Sequence, residues 1–162
     1  LVSEGLDALG WPHALWAFSN RGPRECTVQV LKGWAEQTGP DVQRRVGGLR
    51  PGGATRLGAF LRHGCARLSR RPEGRRVLLL ISDGRPHCAG DYRDAQAVAD
   101  AAMAVREAVG AGVRPFCVSM DRQGDAEDYL RAIFGPGRYL LLDRPDQLPT
   151  RLPDALRKLV SA

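Results

Sequence analysis

Residues 77–81, Val-Leu-Leu-Leu-Ile, constrain the fold more than any other stretch. They are apolar at every position and run into Ser82, Asp83, Gly84 and Pro86. A strand with one wet face alternates apolar and polar residues, whereas a strand covered on both faces reads as a continuous apolar run. The stretch therefore predicts a strand over 77–82 in a parallel sheet with helices on both sides. In such sheets ligands bind outside the carboxyl ends of the strands, and Asp83 stands at that end. Gly84 permits a sharp turn there, and Pro86 blocks direct entry into a helix. A turn acid bonded to neighbouring amides satisfies the same pattern. A second polar loop converging on the point would decide between the two.

The rest of the chain supplies the helices. After a loop, an Ala-rich helix is predicted over 94–109, then a strand over 113–120 and a short helix through "GDAEDYLRAIFG". A strand over 138–143 and a last helix over 147–160 follow. Strict alternation of this kind means right-handed crossovers and a parallel sheet. Upstream, a helix over 2–9 stops at Gly10. Strands over 13–19 and 26–31 are joined by "NRGPR", a link short enough to make them antiparallel. A short helix near 41–46 follows. From Thr55 onward, Leu57, Phe60, Leu61 and Leu68 recur at helical spacing, with Arg56, Arg62 and Arg67 outside. The fold class is α/β and doubly wound, mostly parallel with one antiparallel edge strand, in a single domain over 1–162.

Composition removes several functions. The net charge of +6 could indicate nucleic acid, but only Lys32 and Lys158 among the 24 basic residues are lysines. Aromatic residues make up 6% and none interleave with the basic stretch "RLSRRPEGRR", so no stacking surface is expected. A binder of nucleic acid through the arginines of 56–76 is the weaker reading, and its affinity would fall steeply with salt. Cys26, Cys65, Cys88 and Cys117 form no CxxC pair, which fits a reducing, cytoplasmic compartment. No apolar run reaches membrane-spanning length. Cys65 and Cys117 are expected to be buried, Met103 and Met120 to fill the core, and Trp11, Trp16 and Trp34 to pack.

Few motifs survive scrutiny. "GLRPGGAT" (48–55) imitates a phosphate-binding loop, but Ala54 occupies the lysine position and the preceding "DVQRRV" reads as helix. His63, Cys65, His87 and Cys88 lack zinc-site spacing. Cys88 beside His87 lacks a third group to orient it as a nucleophile. Thr55 suits a helix N-cap or, pointing outward, a ligand. With Asp83 it forms a hydroxyl–carboxylate pair on neighbouring loops, chemistry that suits a hard cation such as Mg²⁺. Two protein oxygens are too few for tight binding. A metal-dependent hydrolase using Asp83 is the alternative, with Asp91 and Asp94 as the near acids.

"RVLLLISDGRPH", "GGATRLGAFLRH", "GVRPFCVSMD", "DYLRAIFG" and "RPDQLP" together resemble a von Willebrand factor A domain. More narrowly, they resemble the C-terminal domain of NorD and CbbO proteins, accessory partners of MoxR-type AAA+ ATPases. That resemblance implies a non-catalytic interaction module with a metal-ion-dependent adhesion site, in which Thr55 and Asp83 are ligands of Mg²⁺ (or Mn²⁺ or Ca²⁺). A partner's acidic residue would complete the shell. The partner would be the ATPase or its target enzyme, nitric oxide reductase for NorD relatives and Rubisco for CbbO relatives. The family's first cation motif, DxSxS after a central first strand, is absent from these 162 residues. The resemblance therefore implies a C-terminal piece of a longer protein, without that strand and with three of the five ligands upstream of Leu1.

Overall fold

The computed structural model of the chain describes residues 2–22, 25–87, 94–121 and 123–161. Cys88 and Asp91 lie outside these residues. Helix α1 (Val2–Ala8) leads into a hairpin of β1 (Leu15–Arg21) and β2 (Glu25–Lys32), paired antiparallel from Ala17↔Gln29 to Arg21↔Glu25. Helices α2 (Pro40–Gly47) and α3 (Leu57–Ser69) come next, so 41–46 is helical as expected and no strand precedes the glycine loop. The second half reads β3 (Arg76–Ser82), α4 (Asp94–Gly110), β4 (Val113–Ser119), α5 (Ala126–Phe134), β5 (Tyr139–Leu141) and α6 (Leu148–Ser161). A single 3₁₀ turn, Pro145–Gln147, introduces α6.

Strands β3, β4 and β5 form a parallel sheet in that order, with Leu80 opposite Cys117 and Cys117 opposite Tyr139. Period two puts Leu78 and Leu80 on one face and Leu79 and Ile81 on the other. Leu80 and Cys117 pack with Leu57 and Leu61 of α3, Val105 of α4 and Leu130 and Phe134 of α5. The opposite face carries Phe116, Val118 and Leu142 against Leu152 of α6, with Val2 and Leu79 alongside. This is the doubly wound α/β arrangement that the alternation predicted.

Close helix approach is built in by glycine. A Cβ on Gly58 would lie 2.1 Å from Asp100 Oδ2, and one on Gly64 would lie 2.8 Å from Leu78 Cδ1. At the first of these contacts Arg62 of α3 reaches Asp100 and Glu107 of α4, each at 2.7 Å.

Several expectations need correction. Strand β3 is not covered on both faces, because Ile81 is 46% exposed. The packing of α6 reaches Leu79 and stops short of Ile81. The hairpin is a separate two-stranded sheet, and among the described residues no ladder joins β1 to β3, as the resemblance implied for a chain without the central first strand. Cys65 is only half-buried, its Sγ 3.8 Å from Ser69 Oγ. Met103 and Trp11 are exposed rather than packed, whereas Trp16 and Trp34 meet edge to face at 5.9 Å.

Candidate functional site

Strand β3 ends at Ser82, and its tip is anchored to β4, since the Met120 amide donates to Ser82 O at 3.0 Å. The turn that follows is capped by Ser82. Its hydroxyl donates to Gly84 O at 3.1 Å and faces the Gly84 amide at 3.5 Å. Asp83 is exposed, and among the described residues its carboxylate accepts no hydrogen bond. The turn-acid reading required such bonds, and here Ser82 makes them.

The second polar loop converges on this turn. Thr55 and His87 exchange both backbone hydrogen bonds, Thr55 N–H to His87 O at 2.8 Å and His87 N–H to Thr55 O at 3.1 Å. The loop carrying Thr55 is thereby stitched to the turn carrying Asp83. Thr55 is not the helix cap, because α3 begins with Arg56 at that position and has no side-chain cap. Among the described residues the Thr55 hydroxyl, too, makes no hydrogen bond.

Asn20, at the end of β1, sets the other side of this loop. It is 1% exposed. Its backbone pairs with Ala54 at 2.9 and 3.2 Å, and its Oδ1 accepts the Arg56 amide at 2.9 Å. Gly53 adopts φ +79°, and a Cβ there would lie 2.8 Å from Asn20 O. The sequence reading placed Asn20 in the hairpin turn and missed this role. An asparagine beside a glycine-rich turn offers no signal that separates the two.

The donor pair is chemically suited to a hard cation and numerically short. Mg²⁺ takes about six oxygens, whereas Thr55 and Asp83 supply two side-chain oxygens. Among the described residues no three His, Cys, Asp or Glu side chains are grouped to hold a metal ion. His63 is exposed on α3 with its ring edge to face against Trp16 at 6.1 Å, and Cys88 lies outside the described residues. The arginines of 56–76 are partly engaged within the domain: Arg62 with Asp100 and Glu107, and Arg71 with Glu73 and over the Trp34 ring.

A second polar cluster lies under α1. Lys32 is 1% exposed, and its Nζ donates to His13 O at 3.0 Å, 3.7 Å from Asp7 Oδ1. Ser3 Oγ lies 2.6 Å from both His13 Nε2 and Thr38 Oγ1. The Ser3–His13 pair imitates a nucleophile and base. However, Ser3 is buried and its hydroxyl is shared with Thr38, while the His13 Nδ1–H donates to Trp11 O at 2.9 Å and so leaves Nε2 to face Ser3. The cluster ties α1 to the hairpin and to the loop before α2.

The chain is thus an α/β domain whose sheet carries helices on both faces, with a hydroxyl and a carboxylate on neighbouring loops at its strand tips that make no hydrogen bond among the described residues. The von Willebrand factor type A domain family matches residues 13–150, and the chain belongs to that family. It is 41% identical over 159 residues to an uncharacterized protein of Pseudomonas aeruginosa, covering 98% of this chain and 26% of that protein. It is 35% identical over 159 residues to Protein NorD of Brucella melitensis, covering 98% and 25% of the two. Against Protein NorD of Stutzerimonas stutzeri it is 37% identical over 147 residues, covering 91% and 24%. The chain thus spans about a quarter of the length of these relatives. No solved structure matches it. No helix among the described residues is long and apolar enough to cross a membrane.

Proposed function

We propose that this domain is a non-catalytic protein-interaction module of a NorD-like accessory protein, and that it docks an acidic side chain of a partner through a divalent cation. Thr55 and Asp83 would hold Mg²⁺ (or Mn²⁺ or Ca²⁺) together with oxygens from residues upstream of Leu1. A bound cation supplies a positive centre to which the partner's carboxylate coordinates. The partner on this reading is a MoxR-type AAA+ ATPase or the enzyme it activates, nitric oxide reductase or Rubisco, in the cytoplasm. The observation that carries the reading is the Thr55–His87 backbone exchange, which joins the loops of Thr55 and Asp83 at one end of the sheet, where neither side chain makes a hydrogen bond among the described residues. The free thiols of Cys26, Cys65 and Cys117 accord with a reducing compartment.

The test is capture of the ATPase and of the target enzyme by the full-length protein, with and without Mg²⁺. Wild type should capture its partner only with Mg²⁺. Asp83→Ala and Thr55→Ala should both lose capture while keeping the wild-type melting temperature, and chelator should reproduce the loss. Full, chelator-insensitive capture by Asp83→Ala would overturn the reading.

A further inference from the structure

The backbone of the Asp83 turn is fixed at both ends, at Ser82 by Met120 and at His87 by Thr55. Between those ends, the side chain of Arg85 folds back onto α5 and the loop before it. Its Nη2 donates to Asp125 Oδ2, and its guanidinium carbon lies 5.2 Å from the centre of the Tyr129 ring. The surface that receives Arg85 is itself pinned. The Tyr129 hydroxyl donates to Asp121 Oδ2 at 2.7 Å, and Asp121 is buried, with its Oδ1 accepting the Gln123 amide at 3.0 Å.

Asp125 departs from its local rule in favour of this contact. It occupies the N-cap of α5, where an aspartate ordinarily accepts an amide of the first turn, and it makes no such bond. Its carboxylate goes to Arg85. A residue that gives up a local preference for a long-range contact marks a place where tertiary geometry is being set. We propose that Arg85, clamped between Asp125 and Tyr129, is a positioning residue that sets the path of the turn and hence the direction of the Asp83 carboxylate toward the Thr55 loop. The proposal rests on the reading of Asp83 as a cation ligand. It adds a component that reaches the cation only through the turn.

The contact is half-exposed, so its removal should scarcely change global stability. That separates positioning from support of the fold. In the full-length protein, Arg85→Met, Asp125→Asn, the double variant and Arg85→Lys are compared. The readouts are hydrogen exchange at the His87 amide, melting temperature, and titration with Mn²⁺ alone, free ion being counted by its paramagnetic resonance. Arg85→Met and Asp125→Asn should each speed His87 exchange and weaken Mn²⁺ binding by about tenfold, roughly the effect of one modest interaction. The double variant should match Arg85→Met, because Asp125 acts on the turn through Arg85. Arg85→Lys should restore part of both, since it keeps the charge and loses the planar stacking.

Unchanged exchange and unchanged Mn²⁺ binding in both single variants would overturn the proposal. A fall in melting temperature with exchange rising across the whole domain would also overturn it, in favour of a purely structural contact. If wild type binds no Mn²⁺ while the variants still speed His87 exchange, the cation reading fails and the positioning of the turn stands.

Discussion

Asn20 holds the loop of Thr55 from one side as His87 holds it from the other: Asn20 Oδ1 accepts the Arg56 amide at 2.9 Å, and Thr55 N–H donates to His87 O at 2.8 Å. The loop therefore bridges the end of β1 and the turn after β3, although the two strands share no ladder among the described residues. Thr55 owes its place to Asn20 on β1 and to His87 in the turn after β3 rather than to the helix it precedes.

The first prediction follows from that grip. Asn20→Ala removes the part-buried hydrogen bonds that its side chain makes to the Arg56 amide and the Gly22 carbonyl, a loss of about 1 kcal/mol for each. Gly53→Ala forces a Cβ to within 2.8 Å of Asn20 O at φ +79°, and the strained backbone alone costs about 1–2 kcal/mol. Both variants should melt earlier than wild type. Thr55→Ala should not, because its hydroxyl caps nothing. Denaturant titration of the three variants checks the order, and a Thr55→Ala loss as large as that of Asn20→Ala would contradict it.

Much of this architecture is legible in the residues. The apolar run of 77–81, the Ala-rich face of 94–109 and the spacing of Leu57, Phe60, Leu61 and Leu68 each mark an element that forms where the pattern places it. Patterns of that kind record local burial. They do not record which chain segment covers a face, and so Ile81 reads as buried and is exposed. Met103 fails for a related reason, since a methionine serves either a core or a wet helix face. Asp83 and Thr55 were legible as candidates, because turn chemistry and strand position are local. Asn20, Lys32 and the Arg85–Asp125 contact were not, because each gains its meaning from a partner distant in sequence.

A second prediction concerns the uncovered strand edges. Among the described residues no strand pairs with the outer edge of β3, and Ile81 is exposed amid Val77, Leu78, Leu79 and Leu80. An edge whose charges stand only at its two ends, Arg76 and Asp83, still invites pairing with another chain along its apolar middle. The 162-residue chain alone should self-associate in light scattering, and Ile81→Lys should shift it toward monomer without lowering its melting temperature. A clean wild-type monomer with a sharp melt would show that the edge is harmless.

Thiol labelling supplies a third prediction. Burial pushes the Cys117 thiol up to about 12, so it stays protonated and unreactive in the native state. Cys26 is exposed on β2, and Cys65 is half-buried on α3. In the folded protein at neutral pH, Cys26 should label before Cys65, and Cys117 only on unfolding. Mass spectrometry of peptides after brief exposure to a maleimide reads the order. Early modification of Cys117 would contradict the packing of β4 against α3, α4 and α5.

The last prediction concerns Asp7 and Lys32. The Thr38 hydrogen bond holds the Asp7 carboxyl below its usual 3.8, and nearby Lys32 acts in the same direction. A carboxyl held low in the folded state contributes stability that is fully present above its ordinary value and is lost as pH falls through its folded value. Wild type should therefore lose stability below about pH 4, with Asp7 among the groups responsible. Asp7→Asn removes that contribution and flattens the acid limb. It also removes the carboxylate at ion-pair distance from Lys32, which is 1% exposed, and leaves it only the more distant charge of Glu36. An ammonium so placed is costly when unpaired, whereas a methylene chain is not. Lys32→Met should accordingly be tolerated better than Asp7→Asn at neutral pH, and the double variant should recover part of what Asp7→Asn loses. Thermal melts of the four proteins from pH 3 to pH 7 test the asymmetry. Equal losses for the two single variants, with no recovery in the double, would show that Asp7 and Lys32 act independently.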